Sequence, residues 1–185
     1  MANKILSDPQ LGEVLFRKNN RARKYIIRIK PNAVAVTIPW GGTYHYAEQF
    51  FKKNRTLILQ KVAGLKAEDA NLQQDIDLRN RAINYLPDEI NRLAKQHGLH
   101  YQAVKIRKSK TRWGSCSSKG TINLSFYLML LPSHLIEYVL LHELCHTIEM
   151  NHSATFWALL DRHTNGHSKE LRKELRKHPI PREIN

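Results

Sequence analysis

Short alternating runs of apolar and polar residues open the chain, and helical spacing takes over later. EVLFR (13–17), YIIRIK (25–30) and AVAVTIP (33–39) are rich in β-branched residues and partly alternating, as strands with one buried face are. Pro31 and Asn32 link the last two tightly, which predicts a hairpin. Residues 1–11 carry no such pattern and are expected to form an irregular leader. Gly41-Gly42 is a breaker. Thr43 then stands at the cap of a helix over 44–62, ending at Gly64. The polar stretch 66–74 reads as a linker. A second helix is expected over 75–96, kinked or broken near Tyr85-Leu86 by Pro87 and stopped by Gly98. YQAVKIR (101–107) and TINLS (121–125) read as strands, with Ser118-Lys119-Gly120 as a hairpin turn.

The pattern changes character at PSHLIEYVLLHELCHTIEMNHSATFW, residues 132–157. Ser133 reads as an N-cap, and over 135–148 the apolar residues fall on nearly every helical face. A helix of that kind is buried. It nevertheless carries His142, Glu143 and His146, and unpaired polar groups in a core are costly. The spacing offers a partner: His142 and His146 are i and i+4, one turn apart on one face, and both rings can hold one cation. Glu143 lies roughly 100° round and can reach a water on the open side of the metal. This is H-E-x-x-H, with two zinc ligands and a general base.

A catalytic zinc needs a third protein ligand and an open position. The next histidine, His152, lies ten positions after His142. On a continuing helix it would sit about 15 Å further along the axis. The helix is therefore expected to stop near 149–151, with Asn151 as an αL residue. Ser153 can cap a new helix, and the turn between can swing His152 back to the metal. A closed structural zinc site would use four ligands, often cysteines. Cys145 is near the ligand face but reads as a small packing residue. Glu149 is either a carboxylate orienting a ligand histidine or simply polar near a helix end. His163 and His167 are expected to be exposed.

RWGSCSSKGTINLSFYLMLLP followed by EYVLLHELCHTIEMNHSATFW resembles the YgjP-like metallopeptidases, relatives of the SprT-type and WLM-type zinc peptidases. The resemblance is clear over about 107–160, and its first block is the more diagnostic. It implies that His142, His146 and His152 bind zinc, one Zn2+ per chain, and that Glu143 is the catalytic acid/base. It also implies an α+β, zincin-like fold. In that fold, N-terminal antiparallel strands and an edge hairpin pack against the buried H-E-x-x-H helix and further helices. The hairpin would bind peptide substrate by strand addition. Arg112 and Trp113 are candidates to line the cleft, with a plain core role as the alternative for Trp113. Tyr127 is a candidate oxyanion donor. Longer members carry an extra strand pair where this chain has LKAEDANLQQD, so substrate selection by that insert does not carry over.

Composition narrows the class. The 185 residues are expected to form a single metallopeptidase domain: a β-rich part over 12–65, a helical, zinc-binding core over 75–165, and a basic helix and tail over 168–185. No apolar run is long enough to cross a membrane. The N-terminus lacks a signal-peptide core, and there are two cysteines, Cys116 and Cys145. A cytoplasmic protein is expected. The formal net charge of +14 favours polyanionic partners and predicts at most weak, non-specific nucleic-acid binding, against a merely solvated basic surface. The leading function is zinc-dependent hydrolysis of a peptide or protein substrate. One alternative is a nucleotide pyrophosphatase-type hydrolase using the same metal, as some family members are labelled. Against it, the sequence has neither a phosphate-binding G-x-x-x-x-G-K-[ST] loop nor a carboxylate cluster for Mg2+. The other is a nucleic-acid-associated, SprT-like protease, although no zinc ribbon follows the catalytic block.

Overall fold

The computed structural model describes residues 3–181, so the first two residues of the expected leader and the last four of the basic tail lie outside it. The chain divides into two compact units, residues 1–74 and 75–185. In the first, β1 (Lys4–Asp8), β2 (Gly12–Lys18), β3 (Ile26–Lys30) and β4 (Ala33–Ile38) form one sheet in the order β1-β2-β4-β3. The expected irregular leader is thus a strand. β1 pairs antiparallel with β2, Leu6 opposite Val14, and so covers an edge that β2 would otherwise expose.

The β3/β4 hairpin forms as expected, with Ile27 opposite Val36. The sheet is not wholly antiparallel, however, because β2 and β4 run parallel with Phe16 opposite Val36. β4 is the most apolar strand and takes the inner position between β2 and β3. The connection over 19–25 leads to the far side of it. Val14, Phe16, Val34, Val36 and Ile38 share one buried face, the period-2 set, and pack with Ala47, Phe51, Ile58 and Val62. Phe16 and Phe51 meet edge to face at 6.0 Å.

Those last four residues belong to α1 (Tyr44–His97), a helix of 54 residues. Thr43 caps it, accepting a hydrogen bond from the Tyr46 amide at 3.2 Å. The expected stop at Gly64, the linker over 66–74 and the break before Pro87 are all absent. Residues 65–75 are mostly Leu, Lys, Ala, Glu, Asp and Gln, good or tolerable helix formers, and extending a formed helix costs far less than starting one. Leu86 and Ile90 are fully buried on either side of Pro87, so packing holds the helix through the proline. Gly98, at φ 63°, ends it.

Asp8 is a buried charge in the first unit, and its partner is Arg55, at 2.7 Å from Nε and 3.0 Å from Nη2. The Gln10 and Leu11 amides also donate to it. The Arg55 hydrogen bond, opposed by burial, holds the Asp8 carboxyl down at about 2. A carboxyl depressed on folding stabilises the fold above its ordinary value and loses that contribution as pH falls to the folded value. Asp8→Asn is therefore expected to melt several degrees lower than the parent at pH 7. The gap should close between pH 3.8 and about 2. Circular dichroism melts at pH 7 and pH 2 check it.

In the second unit, β5 (Ala103–Arg107), β6 (Gly114–Cys116) and β7 (Thr121–Ser125) form a sheet in the order β5-β7-β6. β6 and β7 are the expected hairpin, closed by the Gly120 amide on the Ser117 carbonyl at 2.8 Å, and β6 is an edge. A 3-10 turn over Phe126–Leu130 leads to α2 (Ser133–Cys145), α3 (Ala154–His163) and α4 (Ser168–Leu175). Leu78, Ala82, Leu86, Ile90 and Leu93 of α1 recur at helical spacing and join Ile122 and Leu124 of β7 and most of α2 in one core. None of the described helices is long and apolar enough to cross a membrane.

Candidate metal centre

α2 is buried over nearly its whole length, as its all-round apolar pattern requires. Pro132, not Ser133, is its N-cap, with no side-chain capping bond. The helix also ends earlier than expected, at Cys145, with His146 as its C-cap. Asn151 is not left-handed: among the described non-glycine residues only Asn165 has positive φ, at the end of α3. The chain instead leaves α2 through tight turn bonds, Thr147 amide to Leu144 carbonyl at 3.0 Å and Ile148 amide to Cys145 carbonyl at 3.1 Å. Ser153 caps α3 through the Phe156 amide. This short exit brings His152 back beside α2.

The three imidazoles converge through Nε2. The separations are 3.2 Å for His142–His146, 3.2 Å for His146–His152 and 3.0 Å for His142–His152. Hydrogen bonding cannot satisfy all three contacts. Each neutral Nε2 is either a donor or an acceptor, so at least one pair must match like with like. His146 Nδ1 lies 2.9 Å from the Glu149 carbonyl, which only accepts. Nδ1 therefore carries the proton, and the Nε2 lone pair faces the other two rings. Burial, with His146 and His152 alongside, pushes His142 down to about 3, and burial also lowers His152, so both stay unprotonated at neutral pH. Ligands on a tetrahedral ion at about 2.0–2.1 Å stand roughly 3.3 Å apart. The donor set therefore fits a small divalent cation. Phe156 stacks on His146 at 4.4 Å and Trp157 on His152 at 5.5 Å, while Trp157 Nε1 donates to the His152 carbonyl. These contacts orient the rings.

Glu143 is buried beside this cluster, and its Oε2 has no hydrogen-bond partner among the described residues. Burial pushes its carboxyl up to about 8, against the opposing pull of Arg112. The side chain lies directly on β6. A Cβ on Gly114 would stand 2.6 Å from Glu143 Oε1 and 2.7 Å from its Cγ. Gly114 thus positions Glu143, a role that the WGSC stretch alone does not reveal. Gly114→Ala is expected to displace the carboxylate and to cut hydrolysis by roughly tenfold or more, as misplacing a catalytic group does, while metal content stays near that of the parent. Parallel assays of metal and turnover check this.

Other expected residues fall into place differently. Trp113 is half-buried against the core and also borders a cavity of about 280 Å³ that opens on His142 and Glu143. Tyr127 is buried, and its hydroxyl donates to Asp75 at 3.0 Å. Cys145 is fully buried, and burial pushes its thiol up to about 12. Burial, with Glu143 nearby, pushes Cys116 to about 11. Glu149 contributes its backbone carbonyl rather than its carboxylate. His163 is not exposed; it meets His97, Nδ1 to Nδ1, at 3.0 Å. His167 is exposed. Among the described residues, the potential metal ligands that cluster are His142, His146 and His152.

Three converging imidazoles beside a buried glutamate could hold a metal ion. Residues 73–178, more than half of the chain, match the YgjP-like metallopeptidase domain, and the chain belongs to that family. It is a hydrolase of the metallopeptidase class. Among solved structures, the chain is similar to the zymogen of the Pyrococcus abyssi metallopeptidase abylysin, at 27% identity and a TM-score of 0.45, over 49% of this chain and 91% of that one. It is also similar to the zymogen of Methanocaldococcus jannaschii jannalysin, at 22% identity and a TM-score of 0.43, over 49% and 93%. Comparison with curated proteins finds no match.

Proposed function

We propose that this chain is a zincin-like zinc peptidase in which His142, His146 and His152 hold one zinc ion and Glu143 is the general base. The observation that carries the reading is the convergence of the three Nε2 atoms within 3.0–3.2 Å, which no set of tautomers satisfies without a cation. Held by these three histidines, zinc would supply Lewis acidity to the scissile carbonyl and to the attacking water. Glu143 takes the proton from the attacking water and delivers it to the leaving amine. Its buried Oε2, without a hydrogen-bond partner among the described residues, supports that role. β6, the edge strand of its sheet, is suited to receive substrate as an added strand, in line with the family resemblance.

Metal analysis beside hydrolysis assays tests the reading. Purified protein is expected to hold about one zinc per chain, to cleave casein in a zinc-dependent way and to leave nucleoside triphosphates intact. Zinc-dependent triphosphate cleavage without peptide cleavage would transfer the site to a pyrophosphatase.

The basic charge carries a separate expectation. Arg17, Lys18 and Arg21 line a surface hollow of about 440 Å³ at the turn after β2. Weak DNA binding at low salt, fading steeply as salt rises, is expected there, because phosphate contacts release counterions. A fluorescence titration with a short duplex checks it. No binding near 100 μM protein would leave the charge as a solubility feature.

A further inference from the structure

The cavity beside the histidines has a composition that the peptidase reading leaves unused. Its volume is about 280 Å³, just under the roughly 300–1,000 Å³ of small-molecule pockets, and it suits a single side chain better than a whole ligand. Trp113, Tyr138, Val139 and Leu175 give it apolar walls. α4 adds Arg172 and its C-cap adds Arg176, an i,i+4 pair. Neither guanidinium has a carboxylate partner among the described residues. Glu174 pairs with His134 at 2.9 Å, and Asp161 accepts from the Ser168 amide at 3.2 Å. Arg172 is held in place by stacking over Trp157, 4.5 Å from the ring, and Trp157 in turn stacks on His152. The carboxylate on the cavity wall, Glu143, adjoins His142 at the metal end.

An apolar stem with two guanidiniums that lack carboxylate partners at its side matches one chemistry. Arginine binds carboxylates through paired, charge-assisted hydrogen bonds, stronger than neutral ones. A lysine or arginine side chain would meet like charge there, and a purely apolar one would leave the guanidiniums without an added partner. Resting on the peptidase reading, we infer that this cavity is a specificity subsite for a substrate carboxylate next to the scissile bond, supplied by an Asp or Glu side chain or by the peptide C-terminus. Arg172 and Arg176 are its selecting residues.

The test is cleavage-site profiling of a random peptide pool, half of it C-terminally amidated, with zinc-loaded protein and mass spectrometry. A carboxylate at one position flanking the cut is expected to be enriched roughly 10- to 100-fold over its amide counterpart, the range of a hydrogen bond to a charged group. Enrichment that survives C-terminal amidation assigns the side chain as its source. Enrichment lost on amidation assigns the terminus. In Arg172→Gln and Arg176→Gln the ratio is expected to fall towards one, and Arg176→Gln leaves the stack on Trp157 in place. No carboxylate enrichment in the parent, or unchanged enrichment in both variants, overturns the inference. Absence of all cleavage by zinc-loaded parent counts against the peptidase reading instead. The subsite is then decided by fluorescence titration of the Glu143→Gln protein with a Glu-containing peptide and its Gln counterpart. Tighter binding of the Glu peptide upholds the subsite, and equal affinity overturns it.

Discussion

Glu143→Gln is expected to lose peptide hydrolysis by roughly 10²- to 10⁴-fold, the usual contribution of a positioned general base, while keeping its metal. Glutamine has nearly the shape of glutamate and fits the same slot against Gly114, where there is no room for a larger group. It cannot take a proton from water. The fold should not suffer, because the native carboxylate has an unpartnered buried oxygen and a neutral amide removes that burden of desolvation. Metal content should hold, since the three converging Nε2 atoms lie on other residues. Turnover on casein, zinc content and a thermal melt, taken on one preparation, check all three statements. Activity near that of the parent would remove Glu143 from the mechanism. Loss of metal together with activity would show that the carboxylate acts on the metal site and not as a base.

His152→Ala is expected to release metal far more readily than the parent. Loss of a partner outside the ligand set typically costs 10- to 100-fold in affinity, and loss of one ligand of three should exceed that. His152 is the exposed member of the cluster, so truncating it opens no core cavity. The control is His163→Ala, a histidine of α3 whose ring meets His97. Dialysis against a chelator followed by metal analysis should strip His152→Ala at concentrations that leave His163→Ala loaded. Equal retention in the two variants would remove His152 from the site.

Much of the site was legible because it is local. His142 and His146 sit one helical turn apart, and the all-round apolar sequence of α2 required burial, so a polar pair there needed a partner. Ser153 signalled a new helix start, and that start limited how far the chain could run before His152. The position of the exit was legible only roughly, since α2 ends at Cys145 through tight turn bonds and not through a left-handed Asn151. The unbroken course of α1 is not legible in the sequence because its polar middle has no apolar period. Propensity alone continues a helix that is anchored by packing before and after it.

By itself, then, the sequence determined what neighbours along the chain decide: the strands β2 to β5 and β7, the ring pair on α2, the caps at Thr43 and Ser153, and the stop at Gly98. The tertiary structure decided what lies far apart in sequence. β4 runs beside β2 because its apolar faces claim the inner place in the sheet. Gly114 meets Glu143 across 29 positions because only a residue without a side chain lets β6 lie against α2. Arg172 reaches Trp157 and the cavity wall because Leu171 and Leu175, packed against the core, seat α4 there. No spacing rule encodes such contacts, since each depends on which surfaces remain to be buried once the local elements have formed.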